Sequence, residues 1–402
     1  MNEKSTGISF GLALLLSASA GLAIGNLYWA QPLLSAIAGD FGAPASQGGF
    51  LITATQIGYA LGILLIVPLG DIRERRGLLA SVMLLTVVAL FACAAAPTFT
   101  LLALALAVLG AVTVSGQIIV PLAGDLATDE TRGRIVGIVA SGITTGILFS
   151  RLISGLAAEL WGWRGIYLMA AALNLAMVAV IWRSLPKVHP RSKLSYRELL
   201  SGVFLSLKRY PAMKVILLKQ GMIFGIAFNL FWNALTFLLS GEPFHYGTFQ
   251  IGLVSLAGLV GAAVGAKFGG LEDKGLGKKG MTLSIVLAAA SMAAATFAGS
   301  SIVAIVLVAA VFSVAVQGVS ILSQARLFAL SDFERSRLNT AFVVSNFLFC
   351  AAGSFLARTL WNAGGWRAVM LGAAIAALVA LTVHFAENGT TNIINKKMEE
   401  SA

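Results

Sequence analysis

Charge is what this sequence has least of. Asp, Glu, Lys and Arg make up 11% of its 402 residues, against roughly 25% in an ordinary soluble domain. Hydrophobic residues make up 58%, and mean hydropathy is +0.89. Such a composition offers no surface for a water-soluble fold, so that class is excluded. Cysteine is also scarce: Cys93 and Cys350 both lie inside apolar runs, which rules out a disulfide framework and leaves the redox compartment unread. The three histidines, His189, His245 and His384, are scattered in loops or at a span end. No Gly-x-Ser-x-Gly, His-Glu-x-x-His or phosphate loop occurs, so an enzyme is not expected, nor a cofactor or a metal. Acids are the scarcer charge, 17 against 28 Lys and Arg, for a net charge of +11. That excess is no nucleic-acid footprint, because the cations fall in loops on one side of a membrane.

Apolar runs of about 20 residues are long enough to cross a ~30 Å hydrocarbon core as helices. They lie near 9–37, 48–69, 78–97, 100–124, 135–158 and 165–184, then 212–238, 249–270, 280–298, 301–325, 338–359 and 366–386. The predicted fold class is an all-α membrane protein with twelve transmembrane helices. The Lys and Arg residues set its orientation. Arg73, Arg75, Arg76, Arg132, Arg134, Lys274, Lys278, Lys279, Arg335 and Arg337 lie in even-to-odd connections, and six more fall between Lys187 and Arg209. The opposite side holds Arg164, Arg358 and Arg367. Both termini are therefore expected in the cytoplasm. The expected organisation is a six-helix bundle over 1–185, a cytoplasmic linker over 186–211, a second bundle over 212–388 and a tail over 389–402. A lipid bilayer, the cell inner membrane, is the expected setting of this multi-pass chain, which is read as a monomer. Lys4 and Ser17-Ala18-Ser19-Ala20 imitate a secretory signal, but cleavage there would remove most of span 1, the repeat partner of span 7.

That repeat is explicit. Asn26-Leu27-Tyr28-Trp29 returns 203 residues later as Asn229-Leu230-Phe231-Trp232. Asp129, Arg132 and Arg134 return as Asp332, Arg335 and Arg337, and Trp163-Arg164 as Trp366-Arg367. With six spans in each copy, both copies enter the membrane in the same direction, as parallel repeats. In an apolar chain this points to a transporter of two related halves, with a small-molecule path between them.

The connection after span 2 reads Pro68-Leu69-Gly70-Asp71-Ile72-Arg73-Glu74-Arg75-Arg76-Gly77, and its counterpart after span 8 contains Asp273, Lys274, Lys278 and Lys279. An acid at a span end, a tight turn and a basic cluster resemble the loop signature of the major facilitator superfamily. The resemblance covers nearly the whole chain, although Val67 and Glu74 stand where the first copy should have glycines. It implies a conformational latch: Asp71 with Arg73, Arg75 and Arg76, Arg132 as a partner, and Asp273, Lys274, Lys278 and Arg335 in the second copy. The alternative is that these cations only set topology.

The resemblance also implies that spans 1, 4, 7 and 10 line the cavity. Asn26 lies about 16 residues into span 1, near the midplane at 1.5 Å per residue. An amide there marks either a helix–helix contact or the path itself. Tyr28, Trp29, Gln31, Gln56 and Gln117 join it as path candidates, as do Asn229, Trp232, Asn233 and Gln317 in the second half. Arg151 is the one full charge read well inside a span, and it suits a solute bearing a carboxylate or phosphate. The alternative is an Arg that reaches outward to pair with Glu159. Drug–proton antiporters of the superfamily carry Gly-Pro and Gly-Gly in this helix; Ser150-Arg151 and Ser154-Gly155 stand there instead. Asn26, Tyr28, Gln31, Pro32, Leu33 and Leu34 fit the first helix of a bacterial efflux-type branch. The implied function is secondary transport of a small organic solute, as an exporter with protons as the candidate coupling ion. The alternative is uptake or exchange of a small organic anion without proton coupling, because no Asp or Glu falls in the middle of a span.

Overall fold

The computed structural model describes the backbone of residues 8–400 except 129, 189–193, 262, 265–267, 269, 270, 272, 273, 332 and 333. Side chains are described for the same residues except 132, 148, 336 and 388–400. Asp129, Asp273, Asp332 and His189, and the side chain of Arg132, therefore lie outside the described residues.

Every regular element among the described residues is helical. A chain in hydrocarbon has no water to satisfy its backbone groups, and a helix satisfies them within itself. Eight of these helices are long and apolar enough to cross a membrane, and Phe10–Gly25 and Thr248–Gly261 are shorter apolar ones. Two of the eight contain a break. Arg132–Ser184 turns at Gly162, where φ is 70°, and Arg335–Glu400 turns at Gly364 and Gly365, where φ at Gly365 is 61°. A side chain at Gly162 or Gly365 would strain against that left-handed backbone. Both breaks fall in the polar intervals between predicted runs. The starts of two helices share a device: Thr98 and Ser301, 203 residues apart, each accept the backbone N–H three residues on.

The outside of the helices is apolar. Leu84, Leu85, Val88 and Phe91 are exposed along one side of Arg75–Ala95, as hydrocarbon contact requires and water would penalise. Inside, small residues set the helix spacing. A Cβ added at Gly58 would lie 1.9 Å from Ala107 O, and one at Gly110 would lie 2.1 Å from Thr55 O. The helices Gly48–Leu65 and Phe99–Val112 therefore touch backbone to backbone.

The chain divides into two compact units, one of Met1–Gly202 with Leu239–Leu256, the other of Val203–Leu238 with Ala257–Ala402. In the first, Leu16, Leu79, Met83, Ile119, Leu122 and Ile181 are fully or almost fully buried in one core. The stretch 239–256 joins this unit by specific contacts. Thr248 Oγ1 donates to Gly155 O at 2.9 Å, and the Glu159 carboxylate accepts Phe249 N–H at 3.1 Å. A Cβ at Gly252 would sit 2.8 Å from Arg151 O.

Candidate functional site

In the first unit the site starts from an interrupted helix. Phe10–Gly25 stops at Asn26, and Leu27, Tyr28, Gln31 and Leu33 continue with i→i+3 backbone bonds until Leu34–Asp40 resumes the α-helix. Pro32, which has no N–H to give, sits in the 3₁₀ turn Gln31–Leu33. Loosened turns free carbonyls for other partners, and Ser154 Oγ donates to one of them, Trp29 O. Asn26 ties the interruption together. Its Nδ2 donates to Thr113 Oγ1 at 3.0 Å and its Oδ1 accepts Trp29 Nε1–H at 2.8 Å, while Thr113 donates onward to Ala23 O. The amide is thus engaged in structure at both ends.

Arg151 lies beside this interruption, 1% exposed, with its guanidinium carbon 5.3 Å from the Tyr28 ring centroid. Cation–π contact offsets part of its desolvation. A membrane-buried Arg costs about 2.5–3.5 kcal/mol on insertion scales. Glu159 is committed to the start of Thr248–Val254. Gln31 and Gln56 are buried, and half-buried Gln117 donates to Tyr59 Oη at 3.2 Å.

The second unit repeats the sequence with different chemistry. A π-helical stretch, Gly221–Ala227, precedes Phe228–Ser240, and such stretches are rare and concentrate at functional sites. Asn229 Nδ2 donates to Gly225 O at 2.9 Å, and Ser354, the repeat counterpart of Arg151, donates to Asn229 Oδ1 at 3.3 Å. Trp232 and Asn233 are buried, Trp232 packing on Phe228 and Phe231. Gln317 is half-buried.

Arg151 is not the only charge buried in a span. Lys219, eight residues into the run 212–238, is 0% exposed and forms an ion pair with Glu387. His384, a turn before Glu387, is also buried, with Nε2 2.9 Å from Thr282 Oγ1. Sequence reasoning missed this group because a Lys near the start of a span reads as a topology signal.

The residues expected to form a latch separate by burial. Arg75 is buried, donating from Nη1 to Asp125 at 2.6 Å and from Nε to Gly70 O at 2.8 Å; Asp71 stands 3.6 Å from Nη2. Asp125, at the far end of Ser115–Leu126, is the close partner that the loop motif did not announce. Arg76 lies 4.7 Å over the Trp182 ring, and Arg73, Lys274, Lys278 and Arg335 are exposed. Burial raises the Glu74 pKa, but backbone N–H groups of Gly77, Arg76 and Val188 outweigh it and hold the group below the usual range. At the opposite end, Asp40 accepts Arg164 Nη1–H at 2.6 Å and Trp163 Nε1–H at 3.1 Å, and these bonds lower its pKa. That contact accounts for Trp163-Arg164 in the repeat; Trp366 Nε1 donates instead to Ala295 O. No cluster of metal-ligating side chains occurs among the described residues.

Comparison with known proteins adds three findings. The family model for the Major Facilitator Superfamily matches residues 14–325. An uncharacterized transporter of Escherichia coli O157:H7, YgaY, is 37% identical over 385 residues, covering 95% of this chain and 97% of that protein. Among solved structures, a bacterial homolog of the human lysosomal transporter Spinster, in an inward-facing and occupied conformation, aligns with TM-score 0.77 at 14% identity. That alignment covers 94% of this chain and 97% of the other.

Proposed function

The chain belongs to the Major Facilitator Superfamily, and on that premise we propose that it exports a small organic solute bearing a carboxylate, phosphate or similar acceptor-rich group. Transport runs by alternating access across the bacterial inner membrane, with both termini in the cytoplasm. Eight long helices, two of them split once by glycine, together with two shorter apolar helices support twelve crossings. On this reading they form parallel six-helix bundles over 1–185 and 212–388.

The observation that carries the reading is Arg151, a fully desolvated guanidinium set beside an interrupted helix. Interrupted spans supply polar backbone to solutes at membrane depth, and a guanidinium offers paired donors in a fixed fork to an anionic group. Tyr28, Trp29, Gln31, Gln56 and Gln117 in the first unit, and Asn229, Trp232, Asn233 and Gln317 in the second, are assigned to solute contact. Asn26 serves it indirectly, by holding the interruption open. Asp71, Arg75 and Asp125 form the latch. A second reading, exchange or uptake of an organic anion without proton coupling, draws support from the acids: all 17 lie in loops, tails or span ends.

Proteoliposomes loaded with a panel of organic acids, phosphoesters and neutral solutes test both readings. Flux driven by an imposed pH gradient is expected for proton-coupled export, and flux indifferent to the gradient would leave only the second. Arg151→Lys is expected to lower flux of the anionic solutes at least tenfold. Normal flux in that variant would overturn bidentate recognition by Arg151.

A further inference from the structure

On the lipid-facing side of the first unit, Arg75–Ala95 and the final stretch of Arg132–Ser184 leave a groove of about 680 Å³. Gly77, Ala80, Ser81 and Leu84 form one wall, and the other runs from Leu175 through Val178 and Ala179 to Trp182 and Arg183. The walls are about 10 and 12 Å long at 1.5 Å per residue, enough for half of an acyl chain. Small side chains hollow the groove, and Leu84, Leu175 and Trp182 are exposed at its rims.

One end of this groove is basic. Arg183 is exposed, and no acidic residue among the described ones lies within ion-pair distance of it. Arg76 stacks over Trp182 at 4.7 Å and donates from Nη1 to Leu185 O at 3.4 Å, while its Nε is buried. The nearby carboxylate of Glu74 accepts the backbone N–H groups of Arg76, Gly77 and Val188 and also interacts with the Arg76 charge, which leaves Arg183 as the uncompensated cation of the pair. The repeat provides a control, since 203 residues on Leu283 replaces Ala80, Phe385 replaces Trp182 and Ala386 replaces Arg183. A wall is filled and a cation is lost, so the feature belongs to this copy and not to the architecture.

We propose that this groove binds one anionic phospholipid of the cytoplasmic leaflet, an acyl chain lying along the small-residue wall and the phosphate held by Arg183 and Arg76. Basic pockets between spans on the cytoplasmic side select such headgroups. The assignment rests on the orientation given above, but not on any transported solute. It would hold in a chain that transported nothing in the flux assay.

The test uses the full chain in phosphatidylcholine vesicles and the quenching of Trp182 by brominated lipid. The Trp182 signal is the difference between the native chain and Trp182→Phe. Brominated phosphatidylglycerol is expected to quench it saturably at low mole fraction, and brominated phosphatidylcholine only in proportion to its amount. Each cation near an anionic headgroup contributes about fivefold, so Arg183→Gln should weaken the preference about fivefold and R183Q/R76Q by roughly twenty-fivefold. Lys279→Gln, at the repeat counterpart of Arg76, should leave it unchanged. Equal quenching by the two lipids, or an unchanged preference in Arg183→Gln with normal folding, would overturn the assignment. So would protection of Trp182 that grows with the protein-to-lipid ratio, which would mean that a second copy covers the groove.

Discussion

Replacing Asp125 by Asn tests which acid holds the turn before Arg75. The Arg75 side chain is 8% exposed and meets Asp125, itself 14% exposed, at 2.6 Å; Asp71 is 36% exposed and 3.6 Å away. Removing one partner of a buried pair strands the other charge and costs about 3–5 kcal/mol, while an exposed pair contributes about 0–1 kcal/mol. Some water reaches Asp125, so the lower figure applies. At about 2–4 °C per kcal/mol for a unit of this size, Asp125→Asn should lower Tm by about 6–12 °C and Asp71→Asn by less than about 4 °C. The chain carries its own reporters, because buried Cys93 lies in the first unit and buried Cys350 in the second. In a Cys350→Ala background, a thiol-reactive dye reads unfolding of the first unit alone. The double variant R75Q/D125N should recover much of the loss, since no charge is then stranded. Equal shifts for the two acids, or a double variant no better than Asp125→Asn, would refute the reasoning.

Three further outcomes follow from local geometry. Asn26→Leu leaves the Trp29 indole N–H without its acceptor and should cost about 1–3 kcal/mol in the Cys93 assay. Gly58→Ala drives a methyl group into Ala107 O and should cost about 1–3 kcal/mol. Gly11→Ala, where nothing lies within 4 Å, should be neutral or stabilising, and equal effects at the two glycines would contradict the backbone contact. The Asp40 pKa is lowered in the folded chain by its bonds to Arg164 and Trp163. Its contribution is therefore full above the unfolded carboxyl pKa, about 3.9, and is lost as pH falls through the folded value. An acid series comparing the native chain with Asp40→Asn should show the Tm difference closing on acidification, and a difference that widened would reverse the assignment.

Much of the architecture was legible because membrane helices announce themselves locally. Apolar runs are written where they act, whereas the caps at Thr98 and Ser301 and the glycine breaks at Gly162 and Gly365 came from the structure. The long-range charge pairs are not written locally. Arg75 and Asp125 are 50 residues apart and Lys219 and Glu387 are 168 apart, and neither spacing has a periodicity to read. The repeat narrows the search without completing it. It aligns Lys219 with Leu16, both fully buried, and Glu387 with Ser184, so a shared backbone position is filled by apolar packing in one copy and by an ion pair in the other. An insulated Leu needs only volume, whereas a buried Lys must find its carboxylate on another helix or lose its charge. The second copy must therefore conserve the packing of Pro211–Ser240 against the last span to keep Lys219 paired. Lys219→Leu should then be tolerated far better than Glu387→Gln, since it removes the buried charge instead of isolating it. With Cys93 replaced by Ala, Cys350 reports that difference: a larger loss in Lys219→Leu than in Glu387→Gln would mean that the pair stabilises the unit outright.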